Sequence, residues 1–95
     1  MKVRYTQRAI EDLQDIFAYI GKDNPFAASR VTDRIESVVA ELGDIPGMGS
    51  PTDKQGIQRF PLSGTPYLIF YEILMGEVAI VHIRHGARRP WAGPR

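Results

Sequence analysis

The 95-residue sequence predicts one small α+β domain, spanning residues 1–95, in which a helical hairpin packs on a β-sheet. Two segments place apolar residues at helical spacing, and most of the other apolar residues fall in short runs typical of strands. Since neither helix can bury its apolar stripe alone, a sheet is the natural cover. The length fits a single domain of this kind.

The first element is a short strand, and a helix follows it. Val3 and Tyr5 alternate with polar neighbours, which is typical of a half-buried strand. Thr6 is a candidate N-cap for the helix, which we expect to end near Gly21. The apolar stripe of this helix consists of Ala9, Ile10, Leu13, Ile16, Phe17 and Ile20.

A second helix begins after a short connection. Asn24 supplies a capping side chain, and Pro25 occupies the first helical position. The helix ends at Gly43, and its apolar stripe consists of Ala28, Val31, Ile35, Val38, Val39 and Leu42. Because the connection between the two helices is short, they form an antiparallel hairpin.

The second half of the chain contains a loop and three strands. Residues 44–56 are rich in glycine and proline, as surface loops are. Strands are predicted at residues 57–62, 67–74 and 77–85, and Met75-Gly76 forms a two-residue turn between the last two. The predicted order of elements is therefore β-α-α-β-β-β.

The last two strands have apolar residues on both faces. A two-residue turn at Met75-Gly76 sets the register between them and so defines the two faces. We expect the helices to cover the purely hydrocarbon face, which consists of Leu68, Phe70, Val81 and Ile83. The other face needs a cover from outside the chain, because it is too apolar to stay in water; it consists of Tyr67, Ile69, Tyr71, Ile73, Ile80, His82 and Arg84.

The composition excludes several classes of protein. Without cysteine, disulfide frameworks, thiolate catalysis and zinc fingers are ruled out. The longest apolar run, residues 67–71, is too short to span a membrane, and we expect a cytoplasmic protein. The formal net charge of +1 conceals a basic end, because residues 57–95 hold five arginines and two glutamates. A negatively charged partner would bind there.

No metal or cofactor site is predicted. His82 and His85 are three residues apart on a strand, so their side chains point to opposite faces and cannot share one ion. Asp12 and Asp15 lie one helical turn apart on a polar helix face, where we expect both to be solvated. Residues 47–50 lack the strand and the lysine of a phosphate-binding loop.

The basic end is the strongest candidate site, and three interpretations of it are open. Arg84, His85, Arg88 and Arg89 could stabilise the charge of a phosphodiester transition state, with His85 exchanging a proton. The arginines and Trp91 could instead anchor a protein partner, since both residue types are frequent in binding hot spots. Alternatively, they form a solvated tail with Trp91 packed on the core.

The assembled pattern resembles the ParE branch of the RelE/ParE superfamily of type II toxin-antitoxin toxins. The resemblance covers nearly the whole chain, from Ala9-x-x-Asp12-Leu13 to Ile83-x-His85-Gly86-Ala87-Arg88-x-Pro90-Trp91, by way of Asn24-Pro25-x-Ala27-Ala28, Pro46-x-x-Gly49, Arg59 and Pro66-Tyr67-Leu68-Ile69-Phe70-Tyr71. It implies the fold of that family, a helical hairpin on a small, mostly antiparallel sheet.

The superfamily holds two activities, and the resemblance favours one of them. RelE-like members cut messenger RNA on the ribosome with several basic residues and a C-terminal tyrosine. Here Leu68 stands where their pattern has an arginine, Arg59 is the only cation of residues 57–62, and no tyrosine follows Arg88. We therefore do not expect an enzyme, although a ribosome-dependent RNA endonuclease stays as the alternative.

ParE-like members inhibit DNA gyrase, stabilise plasmids and are neutralised by a ParD-like antitoxin with which they form hetero-oligomers. The resemblance implies the same for this chain, without cofactors and without sequence-specific DNA binding of its own. Candidate target-binding residues are Arg88, Arg89, Trp91, His85 and Arg59. Candidate antitoxin-binding residues are Tyr67, Ile69, Tyr71 and Ile80.

Overall fold

A computed structural model describes residues 1–87, 91 and 93 of the chain. Two of the candidate target-binding residues, Arg88 and Arg89, lie outside the described residues. The elements in chain order are strand β1 (Lys2–Tyr5), helices α1 (Gln7–Gly21) and α2 (Pro25–Asp44), a 3₁₀ turn (Pro46–Met48), and strands β2 (Ser50–Pro51), β3 (Ile57–Pro61), β4 (Tyr67–Leu74) and β5 (Glu77–His85).

The strands form one sheet with the order β1-β5-β4-β3-β2. Only the pairing of β1 with β5 is parallel, and the other three pairings are antiparallel. The prediction of a helical hairpin on a mostly antiparallel sheet is therefore confirmed. The short edge strand β2 was not predicted, because its two residues lie within the glycine- and proline-rich segment.

Both helices begin where their capping residues predict. The Thr6 hydroxyl accepts a hydrogen bond from the Ala9 N–H at 3.2 Å, and the Asn24 side chain accepts one from the Ala27 N–H at 3.1 Å. Each cap satisfies a backbone donor that would lack an intrahelical partner. Neither α1 nor α2, the two helices in the described part of the chain, combines the length and apolar composition needed to cross a membrane.

The core lies between the helices and one face of the sheet. From the helices it takes most of the stripes predicted from the sequence, including Ala9, Ile16, Ile35 and Leu42. Two residues of the predicted α1 stripe, Ile10 and Phe17, are exposed instead. From the sheet it takes Tyr67, Ile69, Tyr71, Val78, Ile80 and Ile83, all of them buried.

The predicted assignment of the sheet faces is therefore wrong. The four strand residues expected to bind an antitoxin lie under the helices instead: Tyr67, Ile69, Tyr71 and Ile80. The last three of them are 0% exposed.

A shift in strand pairing explains the difference. The predicted register between β4 and β5 holds from Leu74 to Tyr71 and shifts by one residue between Tyr71 and Phe70. This bulge leaves Val81 without a partner on β4, so Ile80 and Ile83 share the helix-covered face. Leu68 and Phe70 belong to the opposite face, as do their partners on β5, Arg84 and His82.

The buried Tyr71 also fixes the loop after α2. Its hydroxyl donates to the Pro46 carbonyl at 2.7 Å and accepts from the Gly49 N–H at 2.9 Å. A Cβ atom on Gly49 would collide with this hydroxyl. The loop therefore depends on a glycine at this position for close approach to the tyrosine.

Candidate functional site

The sheet face opposite the helices, here called the helix-free face, carries the C-terminal aromatic residue. The Trp91 ring lies 4.9 Å from the Phe70 ring and 4.9 Å from the His82 ring, centroid to centroid. Phe70 and His82 are themselves stacked at 6.1 Å. Trp91 thus packs on the sheet rather than extending into solvent, at distances typical of aromatic pairs.

His82 is held in place by α1. Beyond Ile80 the edge of β5 is not paired with β1, which ends at Tyr5, and Asp12 of α1 lies against this edge. Asp12 Oδ2 accepts the Ile83 N–H at 2.9 Å and lies 2.7 Å from His82 Nδ1. Arg8 Nη2 is 3.3 Å from His82 Nε2. Since the arginine can only donate and the carboxylate only accepts, the tautomer with hydrogen on Nδ1 satisfies both contacts.

The prediction that Asp12 is solvated is wrong, whereas Asp15 is exposed as expected. The Asp12 side chain is only 12% exposed, and its second oxygen accepts from Arg8 Nε at 3.2 Å. Burial alone would raise the pKa of Asp12, but the hydrogen bonds from His82, the Ile83 N–H and Arg8 outweigh burial and lower it. Asp12 is therefore a charged anchor that links α1 to the histidine beneath Trp91.

A basic cleft opens beside Trp91 on the helix-free face. It has a volume of about 380 Å³, and the apolar side chains of Leu68 and Phe70 lie along it. Its charged lining consists of Lys54, Arg59, Arg84 and Asp53. The lysine and the aspartate are paired at 3.1 Å, and the aspartate side chain is 85% exposed. Three cations therefore surround a cleft whose single described carboxylate is turned to solvent.

A second groove, of about 460 Å³, lies on the other side of β5, between α1 and the end of the sheet. Its lining includes Ile16, Tyr19, Tyr67 and His85. The His85 ring packs edge-on against Tyr67 at 5.7 Å. This groove is more apolar than the basic cleft, and the exposed Tyr19 of α1 lines it.

The structure brings together only some of the predicted site residues. Arg59 and Trp91 line the same cleft. His85, in contrast, lines only the second groove, whereas its neighbour Arg84 lines both. The sequence reasoning missed Lys54, which it placed in an unremarkable loop, and Phe70, which it assigned to the core. Had the sequence analysis shifted the pairing of β4 with β5 by one residue, it would have placed Phe70 opposite His82, as the structure does.

The described residues contain no group of three or more side chains suited to hold a metal ion. His82, the most buried of the candidate ligands, is instead engaged by Asp12 and Arg8. The helix-free face is therefore suited to bind negatively charged groups and aromatic or apolar groups.

Comparison with known proteins identifies the class. The family model described as ParE toxin of type II toxin-antitoxin system, parDE, matches residues 3–90. A protein of Sinorhizobium fredii named "Putative toxin Y4kP" is 38% identical over 90 residues, which cover 95% of this chain and 92% of that protein. Toxin RelE2 of Caulobacter vibrioides is 37% identical over 87 residues, covering 92% and 97% of the two chains.

Solved structures share the fold. The chromosomal ParDE toxin-antitoxin system of P. aeruginosa contains a chain that superposes with a TM-score of 0.81 at 23% identity, covering 90% of this chain and 95% of that chain. The RelBE2 toxin-antitoxin complex of Mycobacterium tuberculosis gives a TM-score of 0.61 at 26% identity, covering 88% and 95%. Two helices on a five-stranded, mostly antiparallel sheet are thus the fold of the ParE/RelE toxins. By its sequence, this chain belongs to the ParE toxin family of type II toxin-antitoxin systems.

Proposed function

We propose that this toxin inhibits DNA gyrase by binding it through the helix-free face, and that a ParD-like antitoxin neutralises it. The observation that carries the proposal is the basic cleft beside Trp91, together with the chemistry of its lining. Trp and Arg are the residue types most frequent among binding hot spots. Such a toxin would act in the cytoplasm, where it would contribute to the stability of a plasmid that encodes the pair.

The lining of the cleft supports binding rather than RNA cleavage. Cleavage without a metal needs a group that takes the proton of the nucleophile. His82 is 3% exposed and bound to Asp12, and His85 lies in the other groove. Asp53 is paired with Lys54 and mostly in solvent. The described lining can hold negative charge but offers no buried proton acceptor, which favours a toxin without catalytic residues.

We place the antitoxin-binding surface on the helices, because the strand residues that the sequence predicted for it are buried in the core. Several large apolar side chains of the hairpin are exposed: Tyr19 by 69%, Phe26 by 80% and Phe17 by 46%. Tyr19 also lines the groove between α1 and the end of the sheet. The structural neighbours are named as toxin-antitoxin systems. A partner segment that folds onto this hairpin would remove these side chains from water, which drives coupled folding and binding.

A pair of matched substitutions tests the two surfaces. Trp91→Ala removes an indole from the helix-free face, and we expect about 30-fold weaker inhibition of gyrase supercoiling, the effect typical of a tryptophan hot spot. Phe26→Ala lies on α2 and should leave gyrase inhibition unchanged while weakening antitoxin binding. Circular dichroism of both variants establishes that they are folded. Wild-type inhibition by a folded Trp91→Ala variant would show that the helix-free face is not the gyrase-binding surface.

A further inference from the structure

Trp91 rests on two rings of the helix-free face. Phe70 of β4 and His82 of β5 are pairing partners, and the indole lies 4.9 Å from each of their rings. Although this face lies opposite the helices, Phe70 is 9% exposed and His82 only 3%. Trp91 follows β5, which ends at His85, and is not part of a strand. Its position on the sheet therefore depends on the side chains beneath it rather than on backbone pairing.

The two rings beneath Trp91 are fixed in different ways. Phe70 is a hydrocarbon side chain on the central strand of the sheet and is held by packing. The His82 ring has two buried nitrogen atoms, and each needs a hydrogen-bond partner. Asp12 Oδ2 lies 2.7 Å from Nδ1, and Arg8 Nη2 lies 3.3 Å from Nε2. With a partner at each end, the imidazole cannot turn about its χ2 bond without losing both contacts.

Asp12 is the group that orients this arrangement. Its Oδ2 also accepts the Ile83 N–H at 2.9 Å, and its Oδ1 accepts from Arg8 Nε at 3.2 Å. The carboxylate is thus held both by the backbone of β5 and by a neighbour one turn away on α1. The described lining of the basic cleft includes Trp91 but neither Asp12 nor His82. Asp12 therefore reaches an occupant of the cleft through the indole that His82 supports.

We propose that Asp12 is a positioning residue for target binding: through His82, it holds the Trp91 indole at the wall of the basic cleft. The part that concerns the target rests on the proposed function. A large side chain that is already held in its binding orientation loses less conformational freedom when a partner binds. Such preorganisation contributes about three- to tenfold in affinity per side chain. Asp12 thus contributes to affinity without touching the target.

The experiment compares full-length variants in two measurements. Acrylamide quenching of fluorescence reports how closely Trp91, the only tryptophan of the chain, stays on the sheet, and a supercoiling assay measures gyrase inhibition. Asp12→Asn keeps a neutral acceptor for His82, whereas Asp12→Ala removes the acceptor. Both should raise the quenching constant, and they should weaken inhibition about threefold and about tenfold, respectively.

A second variant tests whether Asp12 acts through the histidine. His82→Phe leaves a ring beneath the indole that needs no polar partner. In the His82→Phe background, Asp12→Ala should therefore change neither the quenching of Trp91 nor the inhibition any further. Equal effects of Asp12→Ala with and without His82→Phe would show that the aspartate does not position Trp91 through His82.

Tyr71→Phe is the control for a general loss of stability. It removes the hydrogen bonds of the tyrosine hydroxyl with the Pro46 carbonyl and the Gly49 N–H, on the helix-covered side of the sheet. It should leave both the quenching of Trp91 and the inhibition of gyrase as in the wild type. Circular dichroism under the assay conditions establishes that each variant is folded.

The outcomes separate the proposal from the proposed function. Unchanged quenching in Asp12→Ala would overturn the proposal, and so would an equal increase in Tyr71→Phe, because the effect would then follow stability. A looser Trp91 with undiminished inhibition would overturn the role of Asp12 in target binding. Fluorescence needs no gyrase, so the positioning of Trp91 is tested even where the wild-type toxin leaves supercoiling intact, a result that would remove only the proposed function.

Discussion

Asp12→Asn gives the sharpest prediction about how the helix-free face is built. In the wild type, Oδ2 of Asp12 accepts the Ile83 N–H and faces His82, while Oδ1 accepts from Arg8. An asparagine whose carbonyl oxygen takes the Oδ2 position can still accept from the Ile83 N–H and from His82, but it carries no negative charge. Its NH₂ group then faces Arg8, which also can only donate. Hydrogen bonds to a charged group contribute about 1.5–3 kcal/mol, against about 1 kcal/mol for neutral ones.

The expected loss of unfolding free energy is therefore about 1–2 kcal/mol for Asp12→Asn. Asp12→Ala should cost about 2–4 kcal/mol, because it leaves the Ile83 N–H and Nδ1 of the buried His82 without their partner. In a domain of this size each kcal/mol lowers Tm by about 4–8 °C. Asp15→Asn, one turn further along α1 and exposed, should change stability by less than about 0.5 kcal/mol.

Urea denaturation followed by tryptophan fluorescence measures this directly, since the only tryptophan of the chain packs against His82. The pH dependence supplies an independent check. Because the pKa of Asp12 is lowered in the folded protein, its stabilising effect is present above the pKa of an unfolded aspartate, about 4, and is lost as the pH falls through the lower folded value. The difference in stability between wild type and Asp12→Asn should therefore shrink below about pH 4. Equal stabilities of Asp12→Asn and Asp15→Asn at neutral pH would show that Asp12 does not anchor His82 to α1.

The contact between Tyr71 and the loop after α2 should also contribute to stability. Tyr71→Phe should lower the free energy of unfolding by about 1–3 kcal/mol, measured by urea denaturation, because the Pro46 carbonyl and the Gly49 N–H lose their buried partner. Gly49→Ala should cost at least as much in the same measurement, because its Cβ would overlap the tyrosine hydroxyl, whereas Gly47→Ala has nothing within 4 Å and should be nearly neutral. Equal effects of the two alanine substitutions would contradict the close approach.

Except for the two-residue strand β2, the helices and strands of this fold were predictable because each carries a local signal. Thr6 and Asn24 mark the helix starts, and the turn at Met75-Gly76 places β4 and β5 with the bounds that the structure has. The faces of the sheet were not predictable, because β4 is apolar on both sides. A single bulged residue, Val81, then decides which residues of β5 share a face.

The sequence predicted which types of residue form the candidate site, but not how they are arranged. Trp91 stood out by its residue type and Arg59 through the family resemblance, and the structure places both in one cleft. The anchor beneath Trp91 joins Asp12 to His82, which are 70 positions apart in the chain. A polar residue on an amphipathic helix gives no local sign of such a partner, since the contact exists only once α1 lies against the free edge of β5.

The proposal that this toxin acts on gyrase by binding can be tested with two assays run side by side. The same purified toxin is added to gyrase with relaxed plasmid DNA and to ribosomes translating a defined messenger RNA. We expect supercoiling to stop and linear, gyrase-linked DNA to accumulate while the messenger RNA stays intact. Messenger RNA cut at defined codons, with supercoiling unaffected, would contradict the claim and identify a ribosome-dependent endonuclease.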